Sequence, residues 1–193
     1  MRQFIVVARS GPTTADFSLD DLPAAGRVDL LARCVTASFL LSHGLREDVR
    51  THLVLGDEFT VRFEGRELRG LHPDERSTAA LIRNALSERE EAIGQIPVEI
   101  SAGVSLVRMD LDATLAEVSS NSQIYRLHPD GAPKAEVSPP ESPAFVLSNH
   151  REFEAEDAEI IVEYAEGEIC LGPEAIHADH AIAVAHNWLD VAE

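Results

Sequence analysis

An α/β fold with a mostly parallel sheet flanked by helices is what the sequence predicts, and two observations predict it. Short apolar runs of strand length alternate with longer segments whose apolar residues recur at helical spacing, the signature of successive βα units. A hydrophobic fraction of 45% in 193 residues supports one domain with a proper core, or one with a modest extension, and excludes wholesale disorder. No repeat, low-complexity tract or clean domain boundary interrupts the chain, so residues 1–193 read as a single domain.

The elements follow in order. Gln3-Phe4-Ile5-Val6-Val7-Ala8 is an opening buried strand, followed by a polar loop carrying Gly11-Pro12 and Asp20-Asp21-Leu22-Pro23. After Gly26-Arg27, the apolar spacing from Val28 to Leu41 predicts a helix ended near His43-Gly44. Val49 to Leu55 and Glu58 to Phe63 are strands joined at Gly56-Asp57, a hairpin signal. Leu71 to Arg76 is a turn leading into a helix from Ser77 to Ala92; Gly94 to Gly103 reads as irregular, and Leu111 to Val118 as another helix. Ile124 to Leu127 is a short strand, and His128 to Pro143, with Gly131 and several prolines, is a loop. Ala144 to Leu147 is a buried strand, Glu154 to Glu166 a helix, Ile169 to Leu171 a strand, and a last helix runs to Ala192.

Composition narrows the setting. No run approaches the ~18 apolar residues of a membrane helix, and Met1-Arg2-Gln3 is expected to begin no signal peptide, so a soluble cytoplasmic protein is expected. Cys34 and Cys170 sit in apolar segments without a CxxC pair and read as buried thiols. Thirty-four acids face 16 bases, for a net charge of −18, and only Lys134 among those bases is not arginine. Arginine is weakly hydrated and pairs bidentately with carboxylates and phosphates, whereas lysine mostly decorates surfaces. Such an acid-rich, lysine-poor chain resembles proteins of salt-loving cells. Every base lies within residues 1–151, whereas residues 152–193 hold 12 acids and no Lys or Arg. At molar salt the Debye length is about 3 Å, so the acidic total does not exclude an RNA substrate.

Several chemistries are disfavoured by absence. There is no G-x-G-x-x-G after the first strand, no G-x-x-x-x-G-K-[ST] and no G-x-S-x-G. His177 and His180 share a helix face, but no third ligand accompanies them and no metal is expected. Gly172 lies where a strand gives way to a loop before a helix, a place where α/β proteins bind ligands.

The carboxyl-terminal third carries the decisive pattern. Ala144-Phe145-Val146-Leu147-Ser148-Asn149-His150 is followed some twenty residues later by Ile169-Cys170-Leu171-Gly172-Pro173-Glu174-Ala175-Ile176-His177-Ala178-Asp179-His180-Ala181. Together they resemble the cofactor end of SPOUT-class RNA methyltransferases. Gly26-Arg27-Val28-Asp29-Leu30-Leu31-Ala32-Arg33-Cys34, Ser42-His43, Pro73-Asp74-Glu75-Arg76 and His186-Asn187-Trp188-Leu189-Asp190 extend the likeness over the chain. They are similar to the archaeal family that methylates N1 of pseudouridine 54 in tRNA.

The resemblance implies a SPOUT-type sheet with a carboxyl-terminal trefoil knot in about residues 123–193, S-adenosylmethionine as cofactor, a tRNA substrate and a homodimer. It places the adenosine moiety against Leu127, Ser148, the loop Leu171, Gly172, Pro173, Glu174, Ala175 and Ile176, and Ala181. Ser148 stands where glycine is expected and Ala181 where cysteine is usual; both are small, so backbone contacts to a cofactor are compatible with the exchange, whereas a side-chain role at position 181 is not. Asp74 is a candidate proton acceptor or base-orienting carboxylate and Arg76 a candidate for anion stabilisation or phosphate contact, with Arg27 and Asp29 candidates for the same pocket. An equally good reading of Asp74 is a helix cap. Arg33, Arg62, Arg66 and Arg69 are candidate phosphate contacts, with ion pairing to the abundant acids as the alternative. Ile176, Ile182, Val184, Trp188 and Val191 suit either a dimer interface or the core.

Overall fold

In the computed structural model, which describes residues 1–192, β1 (Arg2–Ala8) lies near the middle of an eight-stranded sheet with every residue buried. Its neighbours are β4 (Val49–Leu55) and β9 (Pro143–Ser148), both parallel to it. Beyond β9 come β8 (Gln123–Pro133) and β10 (Ala165–Cys170), also parallel. Beyond β4 the direction changes: β5 (Phe59–Glu64), β7 (Val104–Val107) and β6 (Val98–Ser101) are each antiparallel to the strand before. Five adjacent parallel strands thus carry a three-stranded antiparallel extension.

The period-two alternation of β1 divides the core between two faces. Phe4, Val6 and Ala8 join the larger cluster with buried residues of α1 (Val28–Phe39), α2 (Glu75–Ser87) and α5 (Ala178–Ala192). Ile5 and Val7 join the other with residues of α3 (Leu111–Ser119) and α4 (Ala155–Tyr164). Of the α5 residues weighed for an interface, Ile182 is core, Val184 and Trp188 pack partly buried against it, and Val191 is exposed.

Several boundaries differ from the sequence reading: among them, α4 stops at Tyr164 and β10 already begins at Ala165, inside the expected helix. The first helix stops at Phe39, because Leu40 turns extended and Leu40–Leu41 (β2) pairs with Gly44–Leu45 (β3). The second begins at Glu75 under an Asp74 cap and ends at Ser87. The stretch read as irregular is the β6–β7 hairpin; at its turn Gly103 has φ +75 and lies so close to Leu68 that an added Cβ would sit 2.4 Å from the Leu68 nitrogen. Finally, β8 continues through the expected loop to Pro133. Its register against β10 jumps from Arg126↔Glu168 to Ala132↔Ile169, which leaves Leu127 to Gly131 bulged from the ladder. Gly131 closes the bulge: an added Cβ would meet Glu168 and Ile169 backbone at 2.7 Å.

Candidate active site

A cavity of about 600 Å³ opens at the carboxyl ends of β8, β9 and β10. This is where parallel α/β sheets leave loops free to bind, and the size falls within the ~300–1,000 Å³ of small-molecule sites. The β8 bulge forms one wall with Leu127, His128, Pro129 and Asp130. Leu147 and Ser148 at the end of β9 supply another, and the loop after β10 with Ala178 and Ala181 of α5 closes the cavity. Eight of the nine residues expected against the cofactor line it: Leu127, Ser148, Leu171, Gly172, Glu174, Ala175, Ile176 and Ala181. Pro173, between Gly172 and Glu174 in the same loop, is not among the lining residues, and its ring restricts the loop's backbone.

The lining suits a nucleoside with a polar tail. Leu127, Leu147, Leu171 and Ala181 give apolar contact, and a Cβ added to Gly172 would meet nothing within 4 Å, so that face is open to a ligand. Asn149 is buried where the chain leaves β9, its N–H donating to the Val7 carbonyl (3.1 Å). Its Oδ1 accepts the His150 N–H at 2.6 Å, whereas its Nδ2 has no hydrogen-bond partner among the described residues. A buried amide donor without an acceptor costs roughly 1–3 kcal/mol, which a ligand can recover. Arg126, paired with Glu168 at 2.9 Å, lies over the Phe153 ring (5.1 Å to its centre), and both side chains wall the cavity.

A charged cluster stands beside this cavity. Arg27, in left-handed conformation (φ 64) before α1, clamps both Asp29 oxygens at 2.9 Å. Holding a non-glycine residue there costs about 1 kcal/mol, and the paired hydrogen bonds offset it. Arg33 reaches Asp29 at 3.3 Å, Glu75 at 3.1 Å and Asp179 at 3.3 Å, tying α1 to the starts of α2 and α5. Burial pushes the Asp29 carboxyl up, but Arg27 and then Arg33 outweigh it and hold the group below the usual carboxylate range. His150, at the cavity rim, feels the same cluster: burial, then Arg151 and Arg27, lower its pKa, while Asp29 opposes them.

The remaining candidates fall elsewhere. Asp74 caps α2, accepting the Ser77 N–H (2.8 Å) and hydroxyl (2.6 Å), and it does not line the cavity. Arg76 pairs with Asp20 at 2.5 Å in the loop after β1. From the Pro73-Asp74-Glu75-Arg76 motif it is Glu75 that enters the charged cluster. Arg62 donates to Glu117 at 2.8 Å, and Arg69 to the carbonyls of Leu68 and Arg66. Arg62 opposes His52 on β4, and Arg66 and Arg69 follow β5 past its last residue, Glu64, which pairs with Arg50 near the start of β4. All three therefore lie toward the opposite edge of the sheet from the cavity. The antiparallel return of β5 carries them away, a reversal that arginine spacing cannot encode.

Sequence reasoning missed Asn149, His150, Glu75 and Asp179 as members of this region. The signal for the first two was present: polar residues directly follow an apolar strand at its ligand-binding end. Glu75 and Asp179 meet Arg33 only through packing of three helices and left no local trace.

Comparison with known proteins bears on this geometry. Residues 1–193 match the family described as "Putative SAM-dependent RNA methyltransferase". A Haloferax volcanii protein named tRNA (pseudouridine(54)-N(1))-methyltransferase is 60% identical over 193 residues, covering 100% of this chain and 98% of that protein. A Haloarcula marismortui protein of the same name is 58% identical over the same shares of both chains. In fold, the chain is similar to Archaeoglobus fulgidus Nep1 bound to S-adenosylhomocysteine (TM-score 0.66, 13% identity), with 99% of this chain and 98% of that one covered.

Proposed function

The chain belongs to this family of SAM-dependent RNA methyltransferases, and on that premise we propose that it methylates N1 of pseudouridine 54 in tRNA. The observation that carries the reading is the cavity at the ends of β8, β9 and β10, whose lining holds eight of the nine residues assigned to the cofactor. When bound, S-adenosylmethionine supplies an electrophilic methyl group. Leu127, Leu171 and Ala181 give the adenosine moiety apolar contact, Ser148 and the loop 171–176 offer backbone donors and acceptors, and the Asn149 amide awaits an acceptor. Pseudouridine is carbon-linked, so its N1 carries a proton that must leave as the methyl arrives. In this reading Arg27, held by Asp29, stabilises the negative charge that spreads onto the base carbonyls; its influence on His150 at the rim supports the assignment.

The same reading takes residues 1–193 as one domain acting as a cytoplasmic homodimer, with a trefoil knot in about residues 123–193. Supporting the knot, the chain passes from the α3–α4 face through edge strand β10 to α5 on the α1 face. Supporting the pairing, Ile176 and Val191 at the two ends of the α5 region are exposed. No helix is long and apolar enough to cross a membrane among the described residues.

The test is methyl transfer in concentrated salt to tRNA transcripts carrying either pseudouridine or uridine at position 54, with nucleosides identified by mass spectrometry. N1-methylpseudouridine from the first transcript alone is expected. Methylation of both, of neither, or preferentially of an rRNA fragment would remove the assignment.

A further inference from the structure

Removing the N1 proton calls for a group that is unprotonated at working pH yet basic enough to accept it, and general bases work best with pKa values near the operating pH. Asp74 and the carboxylates of the neighbouring charged cluster are poorly matched. Asp29 is clamped by Arg27 and held below the ordinary carboxylate range, so its proton affinity is further reduced. Asp74 is engaged at both oxygens by Ser77 and lies outside the cavity. Asp179 is paired to Arg33 and packed in the first turn of α5.

His150 differs from all of these. Its backbone is pinned by the Asn149 carboxamide, itself held to β1 through the Asn149 N–H, so the residue is carried on the end of the sheet. Its side chain lines the cavity beside Ser148 and faces solvent at the rim. Among the described residues, no hydrogen bond or ion pair engages its imidazole, unlike the buried rings of His52 (2.8 Å to Gln3) and His186 (3.0 Å to the Ser38 carbonyl). We propose that His150 is the general base of the methyl transfer, a role that rests on the N1-methylation reading above.

The step balances simply. The N1–H bond breaks as an imidazole nitrogen takes the proton; the N1 electron pair forms the bond to the methyl carbon, and the sulfonium–methyl bond breaks to leave a neutral thioether. The imidazolium then gives its proton to water at the open rim. The charged and titratable groups around His150 are Arg151 beside it, Arg27 and Asp29 from the start of α1, Glu152 on its own loop, His128 and Asp130 from the β8 bulge, and Glu174 and His177 from the loop after β10; of these, Arg151 and Arg27 lower its pKa and Asp29 raises it. Burial and the two arginines keep the ring neutral through physiological pH, and Asp29 is on hand to stabilise the imidazolium once formed.

The test compares wild type with His150→Gln and His150→Ala at saturating cofactor and tRNA. Expected are an unchanged melting temperature, a cofactor Kd within about twofold of wild type, and a kcat lower by about 10²–10⁴. Wild-type kcat should rise with pH and level off below neutrality, whereas the variants should rise with unit slope to alkaline pH. Free imidazole should restore part of the His150→Ala rate and leave wild type unchanged. An unchanged kcat, a variant that keeps the wild-type pH profile, or a loss matched by equally weakened cofactor binding would overturn the role. A wild-type enzyme that forms no N1-methylpseudouridine would instead overturn the reaction on which it rests.

Discussion

At Asp74 both carboxylate oxygens are occupied by Ser77, and those hydrogen bonds, led by the hydroxyl's, hold its pKa below the usual carboxylate value. Asp74→Ala should lower the melting temperature near neutral pH, with the difference vanishing as pH falls and the carboxyl protonates. Its kcat in the methylation assay should match wild type; a large loss of kcat with normal cofactor binding would return Asp74 to the chemistry. A capping carboxylate and a catalytic one look alike in sequence, since each is an aspartate in a turn before a helix. Only the positions of Ser77 and the cavity separate them. His186 behaves oppositely to a surface histidine: buried, with Arg46 and Arg2 nearby, its pKa is pushed down to about 4 from 6.5. The unfolded chain therefore binds a proton that the folded one refuses, so stability falls as pH drops from about 6.5 to 4, by up to about 3 kcal/mol. Denaturant titrations across that window should show the decline, and His186→Gln should flatten it. A decline of equal size in His186→Gln would assign it to other groups.

The elements most legible in the sequence were those whose physics is local. β1, β9 and the β4–β5 pair announce themselves as apolar runs, and the Gly56-Asp57 turn places both residues at positive φ, as a tight hairpin requires. The β8 bulge was illegible because its prolines and polar residues read as loop, and the ladder resumes only through pairing with a strand more than thirty residues away. That illegible stretch is a wall of the cavity. Gly131→Ala would push β8 from β10 at the point where backbones touch, at a cost of about 1–3 kcal/mol. Weakened cofactor binding in calorimetry is expected with it; Gly44→Ala, where an added Cβ meets nothing, is the control and should bind normally.

For the whole molecule, composition pointed to a salt-rich setting, and the 60% and 58% identical relatives are from haloarchaea. With 12 acids and no lysine or arginine in residues 152–193, self-repulsion should make melting temperature climb as potassium chloride is raised from 0.1 M to molar levels. A melting curve indifferent to salt would contradict this. The arginines tell a further story through their partners. Arg9, Arg27, Arg33, Arg46, Arg50, Arg62, Arg76, Arg108 and Arg126 are each paired with a carboxylate. Among the described residues, Arg66, Arg69, Arg83, Lys134 and Arg151 have no carboxylate partner, and they are dispersed over a loop, α2, the turn after β8 and the cavity rim. Few cations are left to displace the ions condensed on a nucleic acid. Plotted as log K against log salt, affinity for an RNA substrate should fall no more steeply than a slope of about −4 per copy of the chain, and recognition must come from fit to the folded RNA more than from attraction to its phosphates.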